Sequence, residues 1–132
     1  MVLIGVDMRL LFVCVGNTCR SQMAEALAKE MGFEAQSAGT HPGKEIAENA
    51  VKVIEELGFQ MKGQIPKSID SIETNKYDKI ISMGCGVECP NLPISTDWGL
   101  DDPVGNDIDF YRNTRDLIMQ KLEKLSQTQT DA

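Results

Sequence analysis

The sequence predicts one α/β domain with a parallel sheet covered by helices on both faces. Three observations carry that reading. Arg9–Val15 (RLLFVCV) is an almost unbroken apolar run, two helical patterns follow it, and further short apolar runs alternate with those helices. A strand buried on both faces loses the in–out alternation of a half-exposed one, and strands alternating with helices are the mark of parallel βαβ units.

The elements follow in order. Arg9–Val15 ends at Gly16-Asn17, and a helical pattern runs from about Arg20 to Met31, with Met23, Ala24, Leu27 and Met31 on one face. Gly32 stands where a C-terminal cap belongs. Phe33–Ser37 reads as a second strand closed by Ala38-Gly39, and a second helix spans about Glu45 to Leu57. Its buried stripe is Ile46, Ala50, Val53, Ile54 and Leu57, and Gly58 ends it, so Met31-Gly32-Phe33 and Leu57-Gly58-Phe59 share one capping chemistry. Gln60–Tyr77 is polar and holds at most a short helix near Ser68–Glu73. Lys79–Met83 (KIISM) is a third strand, and a fourth lies near Leu92–Thr96. The last helix covers about Ile108–Leu125, with Tyr111, Thr114, Ile118, Leu122 and Leu125 at three-to-four spacing.

The domain is therefore placed at residues 8–125. Residues 126–132 form a polar tail expected to fray. Residues 1–7 (MVLIGVD) precede a second methionine and form an N-terminal extension, or else the chain starts at Met8.

At 132 residues the chain is long enough to bury a core, and its 42% hydrophobic and 25% charged content is that of a globular protein. No apolar run is long enough to cross a bilayer, and Met1–Val6 lacks the basic flank and length of a signal peptide, so a cytoplasmic location is expected. A net charge of −7 speaks against nucleic acid or an anionic membrane as partner. The same charge gives no long-range pull on an anion. Any oxyanion must be caught by local N–H groups and a well-placed arginine.

Cys14-Val15-Gly16-Asn17-Thr18-Cys19-Arg20-Ser21 supplies both. It is a C-x5-R-S pattern between a buried strand and a helix, so its successive N–H groups and the helix N-terminus can form a concave anion site. Gly16 and Asn17 tolerate the positive φ of a tight wrap, and Arg20 offers a planar fork to a tetrahedral oxyanion. Cys14 at the mouth of such a site is expected to react as the thiolate, with Ser21 placed to hydrogen-bond the sulfur. The opposing view, a cysteine packed as a small hydrophobe, does not explain why the pattern sits between strand and helix. In parallel sheets ligands lie beyond the C-terminal strand ends. Cys14, Cys85 and Asp101-Asp102-Pro103 all follow predicted strands and so converge on one edge.

Cys14–Glu25 (CVGNTCRSQMAE), Ser37-Ala38-Gly39 and Asp102-Pro103 resemble the low-molecular-weight tyrosine phosphatase superfamily, and within it the thioredoxin-coupled arsenate reductases. The likeness runs from Met8 to about Leu125. It implies a four-stranded parallel sheet flanked by helices, Cys14 as nucleophile, Arg20 as oxyanion clamp and Asp102 as general acid. Bond cleavage at an oxyanion needs a proton donor opposite the nucleophile, and Asp102, held by Pro103, is preferred to Asp101. The resemblance further implies arsenate or phosphate as the bound oxyanion. It assigns Cys85 and Cys89 to a disulfide relay with Cys14 that ends on thioredoxin or a similar thiol reductant. The C-x3-C spacing of Cys85 and Cys89 is shorter than in the best-known members. It still permits a disulfide if the α-carbons come within about 7 Å, and Gly84 and Gly86 are expected to give that freedom.

A phosphatase is the alternative, using the same Cys14, Arg20 and Asp102. Val104-Gly105 after Asp102-Pro103, in place of aromatic residues, counts against it, and it leaves Cys85 and Cys89 idle. A zinc module is the other alternative. The C-x4-C and C-x3-C pairs are at the edge of zinc spacing, and zinc on Cys19 would destroy the loop, so no metal centre is assigned. Cys19 is read as structural, and His41, the single histidine, is given no role. No cofactor is required. The resemblance adds a structural potassium ion on Asn17, Glu25, Ser37 and Asp70.

Overall fold

The structure is a computed structural model that describes residues 8–84 and 94–130, with side chains of the last helix as far as residue 127. The N-terminal extension, Cys85, Cys89 and the first residues of the expected fourth strand lie outside the described residues. The elements run β1 (Arg9–Cys14), α1 (Arg20–Glu30), β2 (Glu34–Gly39), α2 (Glu48–Glu55), two single-turn 3-10 helices (Ile69–Ser71 and Thr74–Lys76), β3 (Lys79–Ser82), β4 (Thr96–Asp97) and α3 (Ile108–Thr130).

The four strands form one sheet in the order β2-β1-β3-β4, all parallel. β1 is central, which is why its sequence is apolar from Leu10 onward. Its alternating side chains enter two different cores. Leu10 and Phe12 face α1, α2 and α3 through Met23, Leu27, Val53, Ile54, Ile118 and Leu122. Leu11 and Val13 face the other way and meet Ala38 and Ile80, with Ile69, Ile72 and Tyr77 packed over them. Helices thus lie on both faces, but unequally: three α-helices on one, single 3-10 turns on the other. Each fully buried Leu or Phe in such a layer contributes roughly 1.5–3 kcal/mol.

Both helix-ending glycines do what their position predicts. Gly32 (φ 95) and Gly58 (φ 84) take left-handed conformations, and Phe33 N and Phe59 N donate back to Ala28 O and Ile54 O. With Gly32 N on Lys29 O and Gly58 N on Glu55 O, each is a Schellman ending, and the following phenylalanine packs into or against the larger core.

Four boundaries differ from expectation. Helix α2 begins at Glu48 rather than near Glu45, because Ala47 is extended and its N–H is committed to Thr18 O. Leu57, expected in the buried stripe, is an exposed turn residue beyond the end of α2. Strand β2 extends to Gly39, whose register partner is Cys14. The last helix continues to Thr130, through most of the segment expected to fray, since no glycine or proline interrupts it there.

Helix α3 is tied to the end of α2 by charge. Glu56 accepts from Arg112 (2.6 Å) and Arg115 (2.8 Å), and Arg115 also donates to Val53 O (2.9 Å). The Arg112 hydrogen bond first, then Arg115, holds the Glu56 carboxyl well below the usual carboxylate range, at about 2. A carboxylate depressed in the folded state stabilises the fold above its unfolded value and loses that contribution as pH falls through its folded value. The melting temperature of the wild type should therefore fall as pH drops from about 4.5 towards 2. Glu56→Gln should be less stable at pH 7 and show a shallower acid limb when thermal melts are recorded across that range.

Candidate active site

The loop between β1 and α1 is shaped by where its carbonyls go. Cys14 O, Val15 O, Gly16 O and Thr18 O accept from the backbone N–H groups of Thr40 (3.2 Å), His41 (2.8 Å), Gly43 (2.9 Å) and Ala47 (2.9 Å). Asn17 O accepts from Gln22 Nε2 (3.1 Å), and Cys19 O takes the first helical bond, from Met23 N (2.9 Å). In a trans peptide the N–H points opposite to the carbonyl. Fixing the carbonyls to the 40–47 segment therefore turns the N–H groups to the other side. Asn17 N shows the result: it donates to Cys14 Sγ at 3.2 Å.

Close approach of the two segments needs missing side chains. A Cβ on Gly39 would lie 2.6 Å from Val15 O, and one on Gly43 would lie 2.8 Å from Thr18 Cγ2. The left-handed residue of the loop is Asn17 (φ 53). Gly16, expected to share that role, does not take a positive φ. Asparagine suffices because its side chain is fully engaged: Nδ2 donates to Ser21 Oγ (2.8 Å), while Oδ1 accepts from Lys67 N (2.9 Å) and Gln22 Nε2 (3.0 Å).

Cys14 is buried at the end of β1, with Ser21 Oγ 2.8 Å from its sulfur. Since Ser21 Oγ already accepts from Asn17, its own proton is available to the sulfur. Helix α1 starts at Arg20 with no side chain capping its first turn, so those N–H groups are left to the loop. Arg20 is only 6% exposed; its Nη1 donates to Leu100 O (2.7 Å) and its Nη2 lies 3.9 Å from Asp102 Oδ2. The Asp102 side chain is 55% exposed, its Oδ1 accepts from Val104 N (3.1 Å), and Pro103 beside it is buried. Cys14, Arg20 and Asp102 thus lie at the same end of the sheet, as the sequence leads one to expect. Asp101 is exposed, and so is His41, whose ring meets Thr40 Oγ1.

Cys19 is buried, 3.9 Å from the Tyr111 hydroxyl. Burial pushes its thiol up, and burial followed by Cys19 pushes the Tyr111 phenol up to about 12. Both therefore stay protonated at neutral pH, in keeping with a structural role for Cys19. Several supporting residues carry no local sequence signal. Gln22 also donates to Ile65 O (2.9 Å), and Gln64 Nε2 donates to Gln22 Oε1 (2.8 Å), which binds the 63–67 segment under the loop.

The four residues expected to hold potassium do not form an open oxygen cage. Glu25 is 2% exposed and receives Ser37 Oγ at 2.7 Å on Oε1 and Lys29 Nζ at 2.6 Å on Oε2. The Lys67 ammonium stands 3.8 Å from Oε1, and burial holds it below its ordinary value. The Asn17 oxygen is occupied, and Asp70 is exposed. The donor set is met by the chain's own N–H groups and lysines, and no step below uses a metal.

The chain belongs to the low molecular weight phosphotyrosine protein phosphatase family, whose model matches residues 9–131. Within that class it is 36% identical over 125 residues to a glutaredoxin arsenate reductase of Synechocystis sp., covering 89% of this chain and 95% of that protein. Its fold is similar to an arsenate reductase solved in the phosphate binding state, with a TM-score of 0.84 and 33% identity over 92% of this chain and 98% of that one. It is also similar to an arginine phosphatase from Geobacillus stearothermophilus, with a TM-score of 0.82 and 27% identity over 95% of this chain and 94% of that one.

Asn17→Ala takes the side-chain acceptor from Lys67 N, removes one of the partners of Ser21 Oγ and of Gln22 Nε2, and forces alanine into a left-handed φ. Urea unfolding should show a loss of about 2–3 kcal/mol, and alkylation of Cys14 at pH 7 should slow. Activity measured in sodium and in potassium buffers of equal ionic strength should be the same.

Proposed function

We propose that the protein reduces arsenate to arsenite through Cys14, Cys85 and Cys89. The observation that carries the reading is the pairing of a phosphatase-type oxyanion loop with two further cysteines that hydrolysis has no use for. The names of its relatives support the same choice. In the first step the Cys14 sulfur attacks arsenic inside the N–H cradle. Arg20 binds two oxygens, and Asp102 gives its proton to the departing oxygen, which leaves as water. The product is a Cys14–arsenic(V) adduct.

Cys85 then attacks the Cys14 sulfur. A sulfur–sulfur bond forms, the electron pair of the sulfur–arsenic bond goes to arsenic, and arsenite leaves as arsenic(III). Cys89 attacks Cys85 in turn, which frees Cys14 as the thiol and leaves a Cys85–Cys89 disulfide. An external dithiol, thioredoxin or a glutaredoxin system, returns the two electrons. A reducing compartment such as the cytoplasm keeps such cysteines ready. Among the described residues no helix is long and apolar enough to cross a membrane.

Val104, 56% exposed beside Asp102, offers no aromatic ring to stack on a phosphotyrosine. Phosphate itself fits the cradle, since it shares the shape and charge of arsenate.

Arsenate-dependent NADPH oxidation should be seen with thioredoxin and its reductase, or with glutaredoxin, glutathione and glutathione reductase. It should fall to background in Cys14→Ser, Cys85→Ser and Cys89→Ser. No turnover with either donor, with aryl-phosphate hydrolysis intact in Cys85→Ser and Cys89→Ser, would make the protein a phosphatase.

A further inference from the structure

Gly84 is the last described residue after β3, and it does not take a positive φ. Residues with a side chain also take a φ outside the left-handed region, so that region does not account for the glycine. Space does. A Cβ at this position would lie 2.5 Å from Arg20 Nη1 and 2.5 Å from Leu100 O, the two atoms that form the 2.7 Å hydrogen bond anchoring the guanidinium.

We propose that Gly84 is a positioning residue for Arg20: its bare α-carbon is the floor on which the Arg20–Leu100 bond forms, and that bond sets the plane of the fork. The inference rests on the oxyanion-binding part of the proposed function and not on the redox relay. Arg20 carries five N–H groups, and one of them is used on Leu100 O. A guanidinium tied at one edge keeps its plane, so the remaining edge meets an oxyanion without first losing rotational freedom. The acceptor is rigid as well. Leu100 N donates to Met83 O (2.8 Å), Trp98 N donates to Ser82 O (2.9 Å), and Met83 N donates to Val13 O (2.9 Å). The chain ahead of Asp102 is thus laced to the end of β3, and β3 to β1. When a methyl group enters the floor, a backbone held by three such bonds yields less readily than a side chain. Arg20 gives way first.

The consequence is specific. Cys14, Asn17 and Ser21 make no contact with Gly84 in the hydrogen-bond network of the loop. Gly84→Ala therefore impairs oxyanion binding and leaves the sulfur's own reactivity alone. Inorganic phosphate is the probe: it protects Cys14 from iodoacetamide, with alkylation of the Cys14 peptide followed by mass spectrometry. In Gly84→Ala the phosphate concentration for half-protection should rise roughly 10- to 100-fold, the loss of one charged hydrogen bond. The alkylation rate without phosphate should stay within about twofold of wild type, a split that general loosening of the fold would not give. In an Arg20→Lys background, where no fork remains, Gly84→Ala should weaken protection no further.

Protection equal to wild type in Gly84→Ala, or equal weakening in the Arg20→Lys background, would overturn the assignment. A measurement on the unaltered protein guards against a variant that fails to fold. In nitrogen-15 spectra without phosphate, the two Arg20 Nη groups should give separate, slowly exchanging signals, and one averaged signal would overturn the inference equally. Neither result depends on arsenate turnover, so failure of the relay and failure of this positioning role are read separately.

Discussion

The constraint on which the site depends is the commitment of the loop carbonyls. Four of the six between Cys14 and Cys19 are held by N–H groups of the 40–47 segment, one by Gln22 and one by the first turn of α1. A loop left to itself would scatter its carbonyls, and a carbonyl pointing into the cradle would repel an oxyanion. Occupying each on the outside makes the inside uniformly a donor surface before any ligand arrives. That is preorganisation: the orienting work is done during folding, and binding does not repeat it. It also explains why α2 is short. Residues up to Ala47 are spent on the loop, and Ala47 is extended where its N–H meets Thr18 O.

Two further layers support this one. Asn17 joins the cradle to the 63–67 segment and to Ser21, so the residue with the left-handed backbone is also the one that orders the hydroxyl beside the sulfur. Beneath it the buried Glu25 carboxylate binds Ser37 of β2 and Lys29 of α1, with Lys67 alongside. A buried carboxylate left unpaired would be strongly destabilising, and two ammonium groups with a hydroxyl meet that need. Strand, helix and loop are thereby fixed to one another directly behind the reactive sulfur.

What was legible in the sequence was what is local. The unbroken apolar run of β1, the C-x5-R-S pattern and the glycines at 32 and 58 each announce a structure built from neighbouring residues, and each lies where its chemistry requires. Asp102 was legible through resemblance and stands 3.9 Å from Arg20. Gln22, Gln64 and Lys67 were not, because their bonds join segments 42 to 50 residues apart and no periodicity records such a partner. The sequence marks Gly84 as a source of flexibility beside Cys85, while the lack of space beside Arg20 and Leu100 comes from segments far apart in the chain. Glycine is used both for what its backbone can adopt and for what its side chain does not occupy, and a sequence does not say which.

Net charge and local charge decide different things in this molecule. At −7 the protein as a whole repels an oxyanion, and in about 0.15 M salt that repulsion is screened beyond about 8 Å. An anion entering the cradle would meet inward N–H groups, the start of α1 and Arg20, whose 6% exposure removes most of the competing water. Hydrogen bonds of this short-range kind strengthen as water is excluded. Asp102 follows the same logic from the other side: more than half exposed and 3.9 Å from Arg20, it forms no tight pair that would neutralise the guanidinium. An acidic surface with a donor-lined pocket therefore selects its anion by fit at contact distance, and long-range attraction plays no part.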